Sequence, residues 1–113
     1  MRLRFRAWIL LPVFLIPLLT LAGGKGDVEK GKTLFSRCSV CHGASGDGND
    51  AIGKAYGVKM PVLGSKEAQS LDDAALKKIV IEGKGKMPPV KLSDAESDDI
   101  IAFVRSLKKP SPK

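Results

Sequence analysis

The sequence predicts an all-α domain. Three segments carry apolar side chains three or four residues apart, the spacing that builds one face of a helix. The segments between them are rich in glycine and proline, which favour loops. No segment alternates apolar and polar residues as a half-buried strand does. A length of 113 residues fits one small domain.

The first predicted helix covers residues 27–39. Asp27 and Glu29 place negative charge at its start, which complements the helix dipole. Its apolar stripe follows the spacing i, i+3, i+4, i+7 and consists of Gly31, Leu34, Phe35 and Cys38. Five glycines then predict a loop over 43–57, with a short helical turn at 50–56 as the alternative.

The second helix is predicted over 71–82. Ser70 and Asp73 mark its start, and Gly83 stops it. The segment 83–92 contains two adjacent prolines, which lack an amide donor and prevent the helix from continuing, so a loop is predicted there. The apolar side of this helix consists of Leu76, Ile79 and Val80.

The third helix begins at a capping box, in which Ser93 and Glu96 satisfy each other's backbone amides. It ends before Pro110. Its apolar stripe consists of Ile100, Phe103, Val104 and Leu107. With short additional turns, the sequence predicts three to four helices.

The N-terminus has the pattern of a secretory signal peptide. Three arginines precede an uncharged apolar stretch, and Ala22 and two glycines follow it. We therefore expect residues 1–22 to be a signal peptide and residues 23–113 to be the mature domain. The alternative is an uncleaved anchor, which would tether the protein to the inner membrane. In both cases the positive N-terminus stays in the cytoplasm and the rest is exported to the periplasm.

Composition limits the kinds of partner that are expected. It also leaves few large aromatic side chains to fill the core. The net charge of +7 over 113 residues falls to +4 over 91 when residues 1–22, which carry three arginines, are removed. Lysines are scattered without interleaved aromatics, so a nucleic-acid surface is not indicated. Only Phe35, Tyr56 and Phe103 remain as aromatic residues. A bulky apolar ligand is therefore expected to complete this small core.

The motif that carries chemistry is Cys38-Ser39-Val40-Cys41-His42. A structural zinc site needs four ligands, a thioredoxin-like dithiol belongs beside a βαβ unit, and a plain disulfide leaves His42 without a role. Cys-x-x-Cys-His is the signature of covalent haem attachment. Cys38 and Cys41 share one helix face, so both thiols can bond the vinyl groups of a single porphyrin, while His42 ligates the iron.

The sixth position of the iron has two candidate ligands in the mature chain. His42 is the only histidine, so a second histidine ligand from the same chain is excluded. Methionine is the usual partner in electron-transfer cytochromes. Met60 and Met87 are each followed by proline. The flexible segment 83–89 favours Met87, but spacing alone leaves Met60 open.

Residues 27–107 resemble a small monohaem class I c-type cytochrome. The resemblance rests on Gly31 and Phe35 ahead of the haem motif, on Pro61-Val62-Leu63, on Gly83 through Pro88, and on the final helix. It implies the small cytochrome c fold around one haem c, with Cys38 and Cys41 as thioethers and His42 and Met87 as axial ligands. It also implies that the Pro61 carbonyl supports His42, whereas Met60 packs on the histidine side.

The function implied is a periplasmic one-electron carrier rather than an enzyme. The alternative is a haem-based enzyme or sensor, peroxidase-like, whose methionine ligand is displaceable. We expect redox proteins as partners, a monomer, and no nucleic acid. A ring of lysines suits acidic docking surfaces, and its members are Lys32, Lys54, Lys84 and Lys86. Five apolar residues are expected to form the wall around the haem, and the alternative is that they are ordinary core residues. They are Phe35, Leu63, Ile79, Val80 and Val104.

Overall fold

The computed structural model describes residues 25–109. That part of the chain contains six α-helices, one 3-10 helix and no strand. The elements in chain order are α1 (Val28–Leu34), the 3-10 helix (Phe35–Arg37), α2 (Ser39–His42), α3 (Asp50–Tyr56), α4 (Lys66–Ser70), α5 (Asp73–Glu82) and α6 (Asp94–Ser106). None of these helices is long and apolar enough to cross a membrane. The predicted leader, residues 1–22, lies outside the described residues.

The all-α prediction is confirmed, and the helices are more numerous and shorter than expected. The first predicted helix, 27–39, is divided into α1 and the 3-10 helix, because the chain tightens before Cys38, and α2 begins only at its last residue. The alternative of a helix at 50–56 is correct, since Asn49 caps α3 with its side-chain oxygen. Helix α4 was not predicted, and Ser65 caps it. Asp72 rather than Ser70 caps α5.

Helices α1 and α6 cross at very short range. A Cβ atom added to Gly31 would overlap the main-chain carbonyl of Asp99 and would lie 2.9 Å from Cβ of Phe103. One turn further along, the rings of Phe35 and Phe103 pack with their centroids 5.0 Å apart and tilted by 55°. The missing side chain at Gly31 therefore lets the two backbones touch.

The hydrophobic core lies between α1, α5 and α6. It is formed by Phe35, Leu76, Ile100, Ile101, Phe103 and Val104. Three of these residues come from the predicted stripe of the last helix. The predicted capping box at Ser93 and Glu96 is also confirmed, with both reciprocal hydrogen bonds present. Helix α6 is thus the element on which the others are assembled.

The chain after α6 closes onto two loops. The Lys109 amide donates to the carbonyl of Gly64 at 3.0 Å, and Lys109 Nζ lies 2.6 Å from a carboxylate oxygen of Asp47. The bond from Lys109, aided by one from Ser45, holds the pKa of Asp47 below its ordinary value. The loop that follows His42 is therefore tied to the end of α6.

Gly31→Ala should destabilise the holoprotein. Helix propensity alone favours alanine by about 1 kcal/mol, but overpacking costs about 1–3 kcal/mol, and the atom met by the new methyl group is backbone that cannot rotate away. We expect a lower midpoint in denaturant unfolding. Lys32→Ala, at an exposed position of the same helix, is the control. An unchanged or higher midpoint for Gly31→Ala would contradict the close crossing.

Asp47→Asn should lower stability at neutral pH and not at acid pH. The folded-state pKa of Asp47 lies below its ordinary 3.8, so its stabilisation is present above that value and is lost as pH falls through the folded-state pKa. The two unfolding curves should converge in acid. Asp50→Asn removes the same charge from an exposed neighbour without touching Lys109. A difference that persists in acid would exclude the ion pair as its source.

Candidate haem site

The helix that carries the haem motif is short, and hydrogen bonds from the loop that follows it hold it in place. Helix α2 has four residues, too few to be stable alone. Gly48 donates its amide to the carbonyl of His42 at 2.7 Å, and the Asn49 amide donates to Cys41 at 2.9 Å. The Asn49 side chain donates to the carbonyl of Val40 at 3.0 Å. Three consecutive carbonyls at the end of α2 are thus satisfied by two residues.

A cavity of about 440 Å³ opens beside this helix. Cys41 and His42 form one side of it, and Met87 and Pro88 come from the loop between α5 and α6. The remaining lining residues are Tyr56, Val58, Lys59, Met60, Pro61, Lys84, Gly85 and Lys86. The lining exposes mainly apolar atoms with one imidazole and two thioethers, which suits a flat apolar group that carries a metal.

The imidazole of His42 is prepared to bind a metal. Burial lowers the pKa of His42 below its ordinary value, which favours the neutral ring that acts as a ligand. Its Nδ1 atom is buried and has no hydrogen-bond partner among the described residues. A bond from Nδ1 to the carbonyl of Pro61 is therefore absent, although Pro61 lines the same cavity. The supporting role of Pro61 stays a prediction.

The two thiols of the motif are free and half-buried. The amides of Cys41 and His42 both point to the carbonyl of Cys38, at 3.3 and 2.9 Å, so one helical turn brings the thiols to the same side. Cys41 lines the cavity, while Cys38 packs against the core. Burial raises the pKa of the Cys38 thiol.

Both candidate methionines line the cavity, so the cavity alone does not choose between them. Met60 is packed tightly, since a Cβ added to Gly48 would lie 3.0 Å from Cβ of Met60. Met87 lies in a tight turn closed by two bonds with Lys84, of 3.0 and 2.9 Å. Gly85 within this turn adopts φ +57°, which favours glycine.

The predicted apolar wall does not line this cavity. Phe35 and Val104 belong to the buried core, and Leu63 and Val80 pack against it, so the alternative of an ordinary core fits them. The four lysines of the predicted ring lie in different places, and their role in docking stays a prediction. Lys84 and Lys86 line the cavity, Lys54 lines the adjoining pocket, and Lys32 lies on α1 away from both.

Comparison with known proteins identifies the family. The model of the cytochrome c family matches residues 28–108. The chain belongs to the cytochrome c family. The predicted resemblance is thereby confirmed, and haem c, bound covalently through the cysteine motif, is the cofactor of this cytochrome.

Two related proteins place the match in context. The cytochrome is 35% identical over 91 residues to a protein named thiosulfate dehydrogenase from Psychrobacter arcticus, covering 74% of this chain and 27% of that protein. It thus spans about a quarter of the length of this curated relative. It is also similar to the solved KustC0563 c-type cytochrome, with a TM-score of 0.60 and 28% identity, covering 70% of this chain and 98% of the other.

The residues present in this cytochrome fit haem c. The site brings together the cysteine of the motif nearest to His42, the neutral imidazole, two thioethers and an apolar lining. Sequence reasoning missed Tyr56, Val58 and Lys59 as part of the lining. Tyr56 and Val58 are exposed, and a large apolar side chain left in solvent beside the haem motif is the signal that indicates a ligand surface.

Proposed function

We propose that this protein is a periplasmic one-electron carrier whose haem c iron is ligated by His42 and Met87. The observation that carries the proposal is that one cavity is lined by His42 from α2 and by Met87 from the loop between α5 and α6, and the surroundings of the two methionines then favour Met87 over Met60. When bound, haem c supplies an iron centre that cycles between the ferric and ferrous states. A carrier needs both axial positions filled, so that no ligand exchanges during electron transfer.

Met87 is favoured over Met60 by its surroundings. Met60 is packed closely against Gly48 and Gly53. A Cβ added to Gly48 would lie 3.0 Å from the Met60 side chain, and one added to Gly53 would lie 3.4 Å from it. It also directly precedes Pro61, on the histidine side. Met87 lies on a turn that its own backbone bonds close, which leaves the thioether free to face the cavity. A thioether ligand favours the ferrous state and raises the reduction potential.

The protein surroundings hold the proximal ligand still. The caps on α2 from Gly48 and Asn49 fix the backbone of His42. Burial favours its neutral imidazole, and donation of the Nδ1 hydrogen to the Pro61 carbonyl would raise its basicity toward iron. A rigid neutral ligand set changes little when the iron gains or loses one electron.

The surface around the cavity suits an acidic redox partner. Lys59, Lys84 and Lys86 line the cavity, and no carboxylate does. Tyr56 and Val58 supply an exposed apolar centre, with 56% and 36% of their surface accessible. A positive rim around an apolar centre accelerates encounter with negatively charged partners. We propose that the protein docks there as a monomer.

The sequence of the leader supports the proposed location. Residues 1–22 have a basic start, an apolar core and small residues at their end, which supports export to the periplasm. An uncleaved leader would add a tether to the inner membrane without changing the side on which the domain lies.

The relative named thiosulfate dehydrogenase supports a second candidate, a haem domain with enzymatic activity on thiosulfate. The lysine-lined cavity is compatible with a small anion. Thiosulfate added to the oxidised holoprotein distinguishes the two functions. A carrier should stay ferric without an enzyme that supplies electrons, whereas rapid reduction by thiosulfate alone would favour the enzyme.

Met87→Ala should open the sixth position of the iron. The native ferrous protein should not bind carbon monoxide, because both axial positions are filled, whereas Met87→Ala should bind it and give a high-spin ferric spectrum. Met60→Leu, which conserves volume in the same cavity, is the matched control and should keep the native spectrum. The opposite pattern, with Met60→Leu opening the iron, would reassign the ligand to Met60.

Reversal of the cavity lysines should slow reaction with anions. The variant Lys84→Glu/Lys86→Glu should be oxidised by an anionic metal cyanide about tenfold more slowly at low salt, and less so at high salt. The control Lys30→Glu/Lys32→Glu makes the same charge change on α1, and stopped-flow absorbance measures both. Equal slowing by the two variants would show that net charge, rather than this surface, guides the encounter.

A further inference from the structure

The side chain of Gln69 joins two distant parts of the chain. Its Nε2 atom donates to the carbonyl of Leu63 and to the carbonyl of Val104, each at 2.9 Å. Both hydrogens of one amide are therefore in use. The Val104 carbonyl is one of the last four of α6, which lack a full set of helical donors. Gln69 thus anchors the segment before α4 to the end of α6.

The contacts of Arg105 identify which atom of this amide is the oxygen. Its Nη1 atom donates to the main-chain carbonyl of Gln69 at 3.0 Å and lies 3.5 Å from Oε1 of the same residue. A guanidinium only donates, so Oε1 faces Arg105 and the NH2 group faces the two carbonyls. The rest of the guanidinium binds the carbonyl of Leu71 at 2.5 Å and the carboxylate of Asp73 at 2.8 Å.

Leu63 is held at both of its main-chain groups. Its amide donates to the carbonyl of Gly46 at 2.8 Å, in the loop that follows His42, and its carbonyl accepts from Gln69. Pro61 lies two residues earlier and lines the cavity together with His42. Gln69 and Gly46 therefore together hold the segment 61–63 beside the imidazole.

We propose that Gln69 is a positioning residue that sets the reduction potential through the segment 61–63. It holds this segment next to His42, so that on haem binding the Pro61 carbonyl, which accepts no bond from His42 Nδ1 among the described residues, receives that hydrogen bond. The buried Nδ1 atom has no partner among the described residues, and a buried donor without a partner is costly. The inference rests on the proposed ligation by His42.

Replacement of the amide tests the inference in the holoprotein. Gln69→Leu keeps the approximate volume and removes both donors. A weaker Nδ1 hydrogen bond makes the imidazole less basic and stabilises ferric iron less, so the potential should rise. We expect a threefold change in the reduction equilibrium, about 28 mV at 59 mV per tenfold for one electron. The Nδ1 proton resonance of His42 should also exchange faster with water.

Arg105→Lys is the matched control. It keeps the charge and loses the fork that binds Leu71 and Asp73, while the amide of Gln69 can still reach Leu63. It should lower stability with a much smaller change of potential. Gln69→Asn, which is neutral and too short to reach both carbonyls, gives a second test with the same expected sign as Gln69→Leu.

Three outcomes separate the possibilities. A rise of potential in both Gln69 variants, without one in Arg105→Lys, supports the inference. An unchanged potential in the Gln69 variants, or equal shifts in all three proteins, overturns it while leaving the carrier function intact. A wild-type holoprotein without a reversible one-electron couple overturns both the proposed function and this inference.

Discussion

The contact on which the rest of the structure depends is the crossing of α1 and α6 at Gly31. Because a side chain there would overlap the backbone of Asp99, only glycine lets the helices approach this closely. The approach brings Phe35 against Phe103, and Phe35 begins the 3-10 turn that leads into Cys38. The haem-binding motif is therefore placed relative to the core by a residue seven positions before its first cysteine.

Two kinds of restraint hold the two sides of the cavity. The histidine side is fixed by polar contacts between separate segments, from the Leu63 amide to the Gly46 carbonyl and from Asn49 to α2. The methionine side is a loop whose bonds are local, with one further bond from Val90 to Val80 at 2.9 Å. His42 is thus built into the frame of the domain, while Met87 sits on a separately closed turn.

The sequence predicts the helices whose residues follow a periodic pattern. It predicts less well the helices whose formation depends on one capping side chain. The stripe from Ile100 to Leu107 and the box at Ser93 are periodic or paired signals, and both are confirmed. Helices α3 and α4 depend on caps at Asn49 and Ser65, which glycines nearby obscure. In the site, the motif predicts Cys41 and His42, but the lining by Tyr56 and Val58 arises from tertiary contacts that no local pattern records.

The hydrogen bonds from Gly48 and Asn49 to the end of α2 bear on the rate of electron transfer. Electron transfer is fast when the atoms around the metal keep nearly the same positions in both oxidation states. The last three carbonyls of α2 are each bound to a neighbouring loop, so the backbone under the imidazole has little freedom to relax. A helix of only one turn is therefore held rigidly. Because a rigid site changes little between oxidation states, we expect a low reorganisation energy for electron transfer.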